Sequence, residues 1–272
     1  MTEESGWQLS GTAPEAYERY IVPAWMGEWA QMLVEIGGVR SGKQVLDVAC
    51  GTGIVARKAA RIVGQSGRVT GLDVNEGMIR SAKYFAEREG LHTIEWHQEN
   101  ALSMPFGDSE YDVILCQQGV QFSPDPLATL REMSRVMIPG GRLAISVWRE
   151  LKRYPCFTAF TDVLESFLGK EAMNSVHTSF SLADSDRLKD LVNSGGFHNV
   201  HIRLEVKMAR YPSLEEFIPG YLAATPFAAK IAEMKEWDRS EMSRRITTSL
   251  YDYIDDDGLA APMECYVITA DK

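Results

Sequence analysis

The sequence predicts an α/β fold, a mostly parallel sheet with helices packed on both faces. Between residues 41 and 150 short apolar runs alternate with segments of helical period, and each apolar run ends in a turn rich in Gly, Asn, Asp or Gln. The chain has 272 residues, 45% of them apolar, which is enough for a large single core.

The first element spans residues 12–36, TAPEAYERYIVPAWMGEWAQMLVEI. Its helical period is interrupted at Pro23, and Trp25 and Trp29 sit four apart on one face. The first strand, Val45-Leu46-Asp47-Val48, runs into Ala49-Cys50-Gly51-Thr52-Gly53 and then into the helix IVARKAARIV. Glycines at such a turn let a ligand lie against bare backbone, and the helix N-terminus offers unpaired N–H groups. The second strand, Arg68 to Leu72, ends on Asp73, twenty residues after Gly53. That carboxylate can accept hydrogen bonds from both hydroxyls of a ribose.

Asn75 and Glu76 open the next helix, NEGMIRSAKYFAEREG, in which Met78 lies one turn in, placed to cover an adenine face. A third unit, TIEWHQENALSMPF, is a strand running into Asn100-Ala101 and a turn around Pro105. In the fourth, DSEYDVILCQQGVQF, an acidic turn leads into the buried strand VILC and then the polar run Gln117-Gln118-Gly119. The fifth, PLATLREMSRVMIPGGRLAISVW, reads as a helix stopped by Pro139-Gly140-Gly141 and a strand that follows.

After Trp148 two helices are expected, over 155–170 and 182–194, the second opened by Asp184 or Ser185 as cap. Gly195-Gly196-Phe197 turns the chain into a strand with alternating Val200, Ile202, Leu204 and Val206, and the last strand lies near 263–270. Between these two strands, residues 213–258 form a long helical insertion. The chain divides accordingly into one domain over 1–272. Its parts are an N-terminal helical segment (12–36) over the ligand cleft, a nucleotide-binding core (41–150), helices and an edge strand (151–212), the insertion (213–258) and a final strand (259–272).

GTGIVA also fits GxGxxA, so the glycines alone leave an NAD-dependent oxidoreductase open. Asp47 argues for a different nucleotide. A carboxylate at the strand's end would repel a pyrophosphate, whereas S-adenosylmethionine has no phosphate and carries an ammonium and a sulfonium.

Five motifs in order, VLDVACGTG, GLDVNEGM, ENALSMPF, DVILCQQGVQF and MIPGGRLAIS, make the chain resemble the class I S-adenosylmethionine-dependent methyltransferases. Within them it is similar to the ubiquinone/menaquinone-biosynthesis group, over roughly residues 10–150 and the final strand. The resemblance implies a Rossmann-like seven-stranded sheet whose last two strands form an antiparallel edge pair. It implies that Asp47, Ala49, Gly51 and Gly53 line the methionine and ribose side and that Asp73 holds the ribose. By the same resemblance Val74 and Met78 flank the adenine, Asn100 and Ala101 meet its edge, and Gln117 offers its backbone carbonyl to the amino group. Similar proteins often carry Asp where this chain has Asn100; an amide keeps an acceptor oxygen and adds a donor. Tyr17 and Tyr20 are placed by the resemblance to reach the donor's carboxylate or the acceptor, against the plainer reading of tyrosines at helical spacing as core residues.

The formal net charge is −10 and no run of five basic residues occurs, which argues against a nucleic-acid substrate. No apolar stretch reaches the roughly 18 residues that span a bilayer, and the start MTEESGWQLSG is acidic and unlike a signal peptide, so a cytoplasmic protein is expected. Cys50, Cys116, Cys156 and Cys265 are scattered and read as reduced thiols, with no metal site. Asp255-Asp256-Asp257 reads as a solvated turn, since three consecutive carboxylates do not face one octahedral magnesium ion easily.

The expected reaction is methyl transfer by direct displacement to a small, apolar, aromatic or quinone-like molecule, for which holding the reactants in line matters most. Gln118, Gln121 and Phe122, with Gln117, follow the fourth strand where the methyl should emerge and are expected to orient this acceptor. His177, in the divergent segment, is the candidate base if the acceptor must lose a proton, against a surface role. Phe217 and Tyr221, with Phe227 and Trp237, would form an apolar wall if the insertion caps the acceptor; the alternatives are that they seal it on the core or bury a homodimer interface. A protein that holds S-adenosylmethionine without catalysis is a further alternative, because displacement needs no signature nucleophile.

Overall fold

The chain enters its fold through one long helix in three parts. An α-helical turn, α1 (Ala13–Ala16), passes into a π-helical stretch (Tyr17–Met26) and then into α2 (Gly27–Ile36). The expected interruption at Pro23 takes this form. Proline has no N–H to donate, and widened turns let the chain stay helical around it. This computed structural model describes residues 9–272; residues 1–8, which hold most of the acidic start, lie outside the described residues.

Five strands and three helices follow: β1 (Gln44–Val48), α3 (Ile54–Val63), β2 (Arg68–Asp73), α4 (Glu76–Arg88), β3 (Ile94–Gln98), β4 (Tyr111–Gln117), α5 (Pro126–Val136) and β5 (Met137–Trp148). Then come α6 (Pro155–Leu168), α7 (Asn174–Thr178), α8 (Ser185–Ser194), β6 (His198–Tyr211), α9 (Leu214–Ala223), α10 (Ala228–Ala232), α11 (Glu236–Leu250), β7 (Ile254–Asp255) and β8 (Gly258–Asp271). The sheet order is β3-β2-β1-β4-β5-β8-β6, with the short β7 paired to β8. Strands β1 to β5 are parallel, and β8 runs antiparallel between β5 and β6. The mostly parallel sheet with an antiparallel edge is the one expected from sequence.

Two boundaries differ from expectation. The fifth helix ends at Val136, and Pro139-Gly140-Gly141 belongs to β5, where Gly140 takes φ +75°. The last strand begins at Gly258, five residues early, because it first forms a hairpin with β7; Asp256 and Asp257 make its exposed turn, and Asp255 pairs with Arg210 at 2.7 Å. Asp184, of the two caps proposed for α8, accepts from the backbone N–H groups of Asp186 and Arg187.

Helices cover both faces of the sheet. On one, Val45, Val69, Val113 and Leu115 pack under α2 and α3; on the other, Leu46, Val48, Ile114 and Cys116 share a core with residues of α5 and α8. A third core lies beyond the antiparallel edge, where the N-terminal helix, α6, α9 and α11 meet β8.

Strand alternation decides where Asp47 points. It shares a side with Val45, toward α3, and its Oδ2 accepts the backbone N–H of Ala56 at 3.0 Å. The side chain is fully buried, so it satisfies an otherwise free N–H in the first turn of α3 from a neighbouring strand. Burial pushes this carboxyl up to about 8, with nearby Asp73 adding to the rise and the Ala56 N–H and Arg57 opposing it.

Trp96 on β3 explains two glycines. A Cβ at Gly71 would lie 2.5 Å from the indole ring, and one at Gly53 would also overlap it. Gly53 further takes φ +83° as the residue before α3, a left-handed conformation that favours glycine. Gly71→Ala is therefore expected to cost roughly 1–3 kcal/mol through overpacking. Thermal and urea unfolding should show the cost shrinking when Trp96→Leu is introduced with it, a coupling that strict additivity would rule out.

Asp47 predicts a pH dependence. The unfolded chain loses this proton near pH 4, whereas the folded chain keeps it to about 8, so the carboxyl makes stability fall as pH rises between those values. Asp47→Asn keeps an acceptor for Ala56 and has no proton to lose. In the ligand-free protein it should remove a slope of up to about 1.4 kcal/mol per pH unit. Denaturant unfolding at pH 5, 6, 7 and 8 measures it; parallel curves for both proteins would show that Asp47 is ionised in the fold.

Candidate functional site

The strand order reverses at β1 and β4, and a cleft of about 640 Å³ opens at their carboxyl ends, where open parallel sheets bind ligands. The backbone there is unusual. Ala49, just after β1, takes φ +55° and Gln118, just after β4, takes φ +54°, although neither is glycine. Gly119 is needed beside them, since a Cβ on it would lie 2.6 Å from the Cβ of Ala49. Gly51 also takes φ +55°, and a Cβ built on it meets no atom within 4 Å, so bare backbone faces open space.

One half of the cleft gathers the nucleotide motifs. Asp73 accepts the N–H of Gly51 at 2.8 Å and that of Asn75 at 2.9 Å, which fixes the glycine turn against the end of β2. Burial raises its carboxyl above the usual range, and the backbone N–H groups of Asn75, Gly51 and Val74 pull it back. Asn75 caps α4 by accepting from the Met78 N–H at 3.0 Å, which sets Met78 beside Val74. Asn100 and Ala101 close this end, and the Asn100 Oδ1 takes the Leu102 N–H at 2.9 Å in a local turn. Glu99 also lines it and was missed from sequence, although it directly follows β3 as Asp73 ends β2.

The other half is aromatic. Trp25 from the π-helical stretch, Trp148 at the end of β5, Phe157 on α6, Phe180 after α7 and Tyr221 on α9 form its wall, with Phe122 and Met263. Of these, Trp25, Trp148, Phe157, Phe180 and Met263 were not singled out for the site from sequence; the signal for several was aromatic residues in segments divergent from the shared motifs. Gln117 lines the floor, and its side-chain amide donates to the carbonyl of Met26 at 3.0 Å, tying β4 to the π-helical stretch. Gln118, also on the wall, donates to Cys265 Sγ at 3.1 Å.

Several expected site residues stand elsewhere. Asp47 lies behind the turn, fully buried, with its Oδ2 on the Ala56 N–H and its carboxyl raised by burial, and it does not line the cleft. Gly53 is off the wall, beneath Trp96. Gln121 is buried and donates to Gln118 at 3.0 Å, one layer back. Tyr20 packs its ring on Gly220 of α9, whereas Tyr17, one helical face away, lines the cleft. Phe217 is buried behind Tyr221, with ring centroids 5.4 Å apart. Phe227 is buried in the third core and Trp237 is 78% exposed, so neither forms the wall. His177 is exposed to solvent, while Val176, Ser179 and Phe180 around it face the cleft. Short α7 turns His177 outward, and among the described residues no histidine lines the cleft.

The sequence of this chain from residue 25 to 205 matches the model of the ubiE/COQ5 methyltransferase family. It is 30% identical over 186 residues to the demethylmenaquinone methyltransferase of Staphylococcus saprophyticus, covering 64% of this chain and 78% of that protein. It is 34% identical over 182 residues to the ubiquinone/menaquinone biosynthesis C-methyltransferase of Psychromonas ingrahamii, covering 62% and 72%. Its fold is that of phosphoethanolamine N-methyltransferase 2 of Haemonchus contortus, solved with S-adenosylhomocysteine, at a TM-score of 0.60 and 18% identity over 96% of this chain and 57% of that one. With these motifs gathered on one cleft at the switch of strand order, the chain is an S-adenosylmethionine-dependent methyltransferase and belongs to the ubiE/COQ5 methyltransferase family.

Proposed function

We propose that the chain methylates a small, largely apolar molecule with a hydroxyl-bearing aromatic or quinol-like ring, held in the aromatic half of the cleft. The observation that carries this reading is the continuity of one 640 Å³ space between the glycine turn and the aromatic wall. Two relatives, a demethylmenaquinone methyltransferase and a ubiquinone/menaquinone biosynthesis C-methyltransferase, support a ring acceptor.

The donor half suits S-adenosylmethionine in its chemistry. Gly51 presents bare backbone, Asp73 keeps acceptor capacity for ribose hydroxyls, and Val74 and Met78 offer apolar surface to an adenine. Ala49, Gln117, Asn100 and Ala101 complete that half, and Tyr17 stands between it and the aromatic wall. Bound there, S-adenosylmethionine supplies an electrophilic methyl group whose carbon–sulfur bonding electrons return to sulfur on transfer.

The protein's own contribution is orientation and exclusion of water. Gln118 and Phe122 border the acceptor side, and Trp25, Phe157 and Tyr221 enclose it with rings that pack edge to face. Of the insertion, only Tyr221 reaches the cleft among the described residues, so its capping role rests on α9, while α11 packs against α6. Among the described residues no helix is long and apolar enough to cross a membrane. Four buried free cysteines support a cytoplasmic location.

Two measurements test this reading. Asp73→Asn should weaken S-adenosylhomocysteine binding about 10- to 100-fold by calorimetry, the expected effect of losing charge-assisted hydrogen bonds; unchanged affinity would remove Asp73 from the site. Release of S-adenosylhomocysteine should be seen with naphthoquinols or phenols in a panel that also holds amines and thiols. Turnover confined to amines or thiols would overturn the ring acceptor, and binding without turnover on any class would favour a non-catalytic protein.

A further inference from the structure

We propose that Tyr221, together with Tyr17, donates hydrogen bonds to an anionic oxygen on the acceptor, so that the acceptor enters as its own anion and no protein base is used. This rests on the ring-acceptor reading above and adds the polar anchor that reading lacks.

The hydroxyls on the cleft wall fall into two sets. Tyr154 accepts the Arg149 N–H at 2.8 Å and donates to the Glu264 carbonyl. Thr161 and Ser179 donate to carbonyls of their own helices, at 3.0 and 3.2 Å, and Ser123 and Thr129 bond each other at 2.7 Å. Those five are satisfied by the protein. Tyr17 and Tyr221 line the same space, remain partly open to it, and make no hydrogen bond with any described residue.

The packing around Tyr221 shows what its position costs. Its ring is held by Trp25, Phe157, Phe160 and Phe217, at centroid distances of 5.9, 5.6, 5.1 and 5.4 Å. Phenylalanine would satisfy all four contacts, so the oxygen is not required for packing. A donor fixed by four rings and left without a partner is preorganised for a ligand, at no cost of reorganisation when charge arrives. Gly220, next in the chain, lets α9 approach Tyr20 closely enough to bring Tyr221 toward Tyr17 on the same N-terminal helix.

The charged and titratable groups around the pair leave both tyrosines as donors. Burial raises Tyr17, with Glu18, Tyr221 and Asp73 adding to it, and burial raises Tyr221, with Cys156 adding. Tyr211, behind them on β6, is raised likewise. The cleft's carboxylates, Asp73 and Glu99, belong to the donor half, and the Cys116 thiol is pushed up to about 12. The tyrosines and the thiol, held protonated by burial, offer no base to an acceptor in the aromatic half, and the two carboxylates line the other half. The acceptor's hydroxyl proton therefore passes to water before binding. Its electron pair, on oxygen or delocalised to a ring carbon, forms the new bond to the methyl carbon. After methylation at carbon, the hydrogen on that carbon shifts to the oxygen as the ring regains aromaticity. One proton is released per methyl transferred.

The test separates the tyrosine oxygen from packing and from turnover. In the complex with S-adenosylhomocysteine, 4-nitrophenolate, followed by its visible absorbance, should bind about 10- to 100-fold more weakly to Tyr221→Phe than to the unaltered protein, with a smaller loss for Tyr17→Phe. Nitrobenzene, which lacks the oxygen, should bind both proteins alike. Equal affinity for nitrophenolate, or equal losses for both ligands, overturns the proposal. In turnover, the acidic limb of kcat/KM should move with the hydroxyl pKa across substituted phenols or quinols; a limb fixed at one pH for all acceptors shows a protein base and also overturns it. Failure of every hydroxyl-bearing ring to be methylated sinks the acceptor reading instead, and leaves the nitrophenolate comparison to decide the tyrosines.

Discussion

The cleft depends on a backbone constraint at the crest of the sheet. Ala49, Gly51, Gly53 and Gln118 all take positive φ within two short turns, and for Ala49 and Gln118 that costs on the order of 1–2 kcal/mol each. Such strain persists only where the surroundings over-determine it. Here β1 is clamped between β2 and β4, the Cys50 N–H donates to the Leu72 carbonyl at 3.0 Å, and Asp73 holds Gly51 while Asp47 holds Ala56. Each bond reaches from a rigid strand to the turn or to the helix that leaves it. Relaxing Ala49 or Gln118 to an ordinary conformation would redirect the chain across the space the turns keep clear.

A second connection joins the crest to the segment that roofs it. Arg57, fully buried on α3, donates to the Thr52 carbonyl at 2.5 Å, pairs with Glu18 on the π-helical stretch, and lies 3.1 Å from Glu89 beyond α4. A buried ion pair of this kind contributes little net stability against apolar alternatives, but losing one partner leaves a stranded charge at a cost of about 3–5 kcal/mol. Its effect is registry. The helix that carries Glu18 toward α3 sets Tyr17, Ile21 and Trp25, on an adjacent face, along the cleft, and Gln117 secures the far end through the Met26 carbonyl.

The core from β1 to β5 was legible because its pieces are local patterns, buried strands that end in turn residues and, for α3, α4 and α5, a helix of matching period. The residues that line the cleft beside the glycine turn stand near strand ends for a related reason: Asp73 ends β2, Val74 follows it, and Asn100 and Ala101 come within three residues of the end of β3. Asp47 shows the limit. Its type and position were plain, but a strand buried on both faces carries no mark of which side meets the helix, so its charge was assigned to the ligand instead of to α3. The aromatic wall was obscured differently. Phe157 on α6 has the spacing of an ordinary core helix, and Phe217 and Tyr221 share one face of α9, yet the first is packed beneath the second. Depth along a shared face is a property of tertiary packing. His177 failed for a related reason, because α7 is too short for its pattern to say which side faces out.

The two halves of the cleft differ in charge in a way that suits their chemistry. Both carboxylates stand at the nucleotide end, while the aromatic end presents rings, amides and neutral hydroxyls. A low-dielectric enclosure strengthens every interaction between charges, and it favours a step in which a cation and an anion combine to neutral products over one that creates charge. A carboxylate base beside the acceptor would work against this, because it would repel an anionic acceptor and itself form an ion pair with the methyl donor. Neutral hydroxyls on rigid rings can hold an anion without cancelling its nucleophilic charge. The placement of Asp73 and Glu99 at the other end from the aromatic wall, of Tyr221 on that wall and of Tyr17 beside it, therefore follows from one requirement: charge must be present on both reactants until the bond forms.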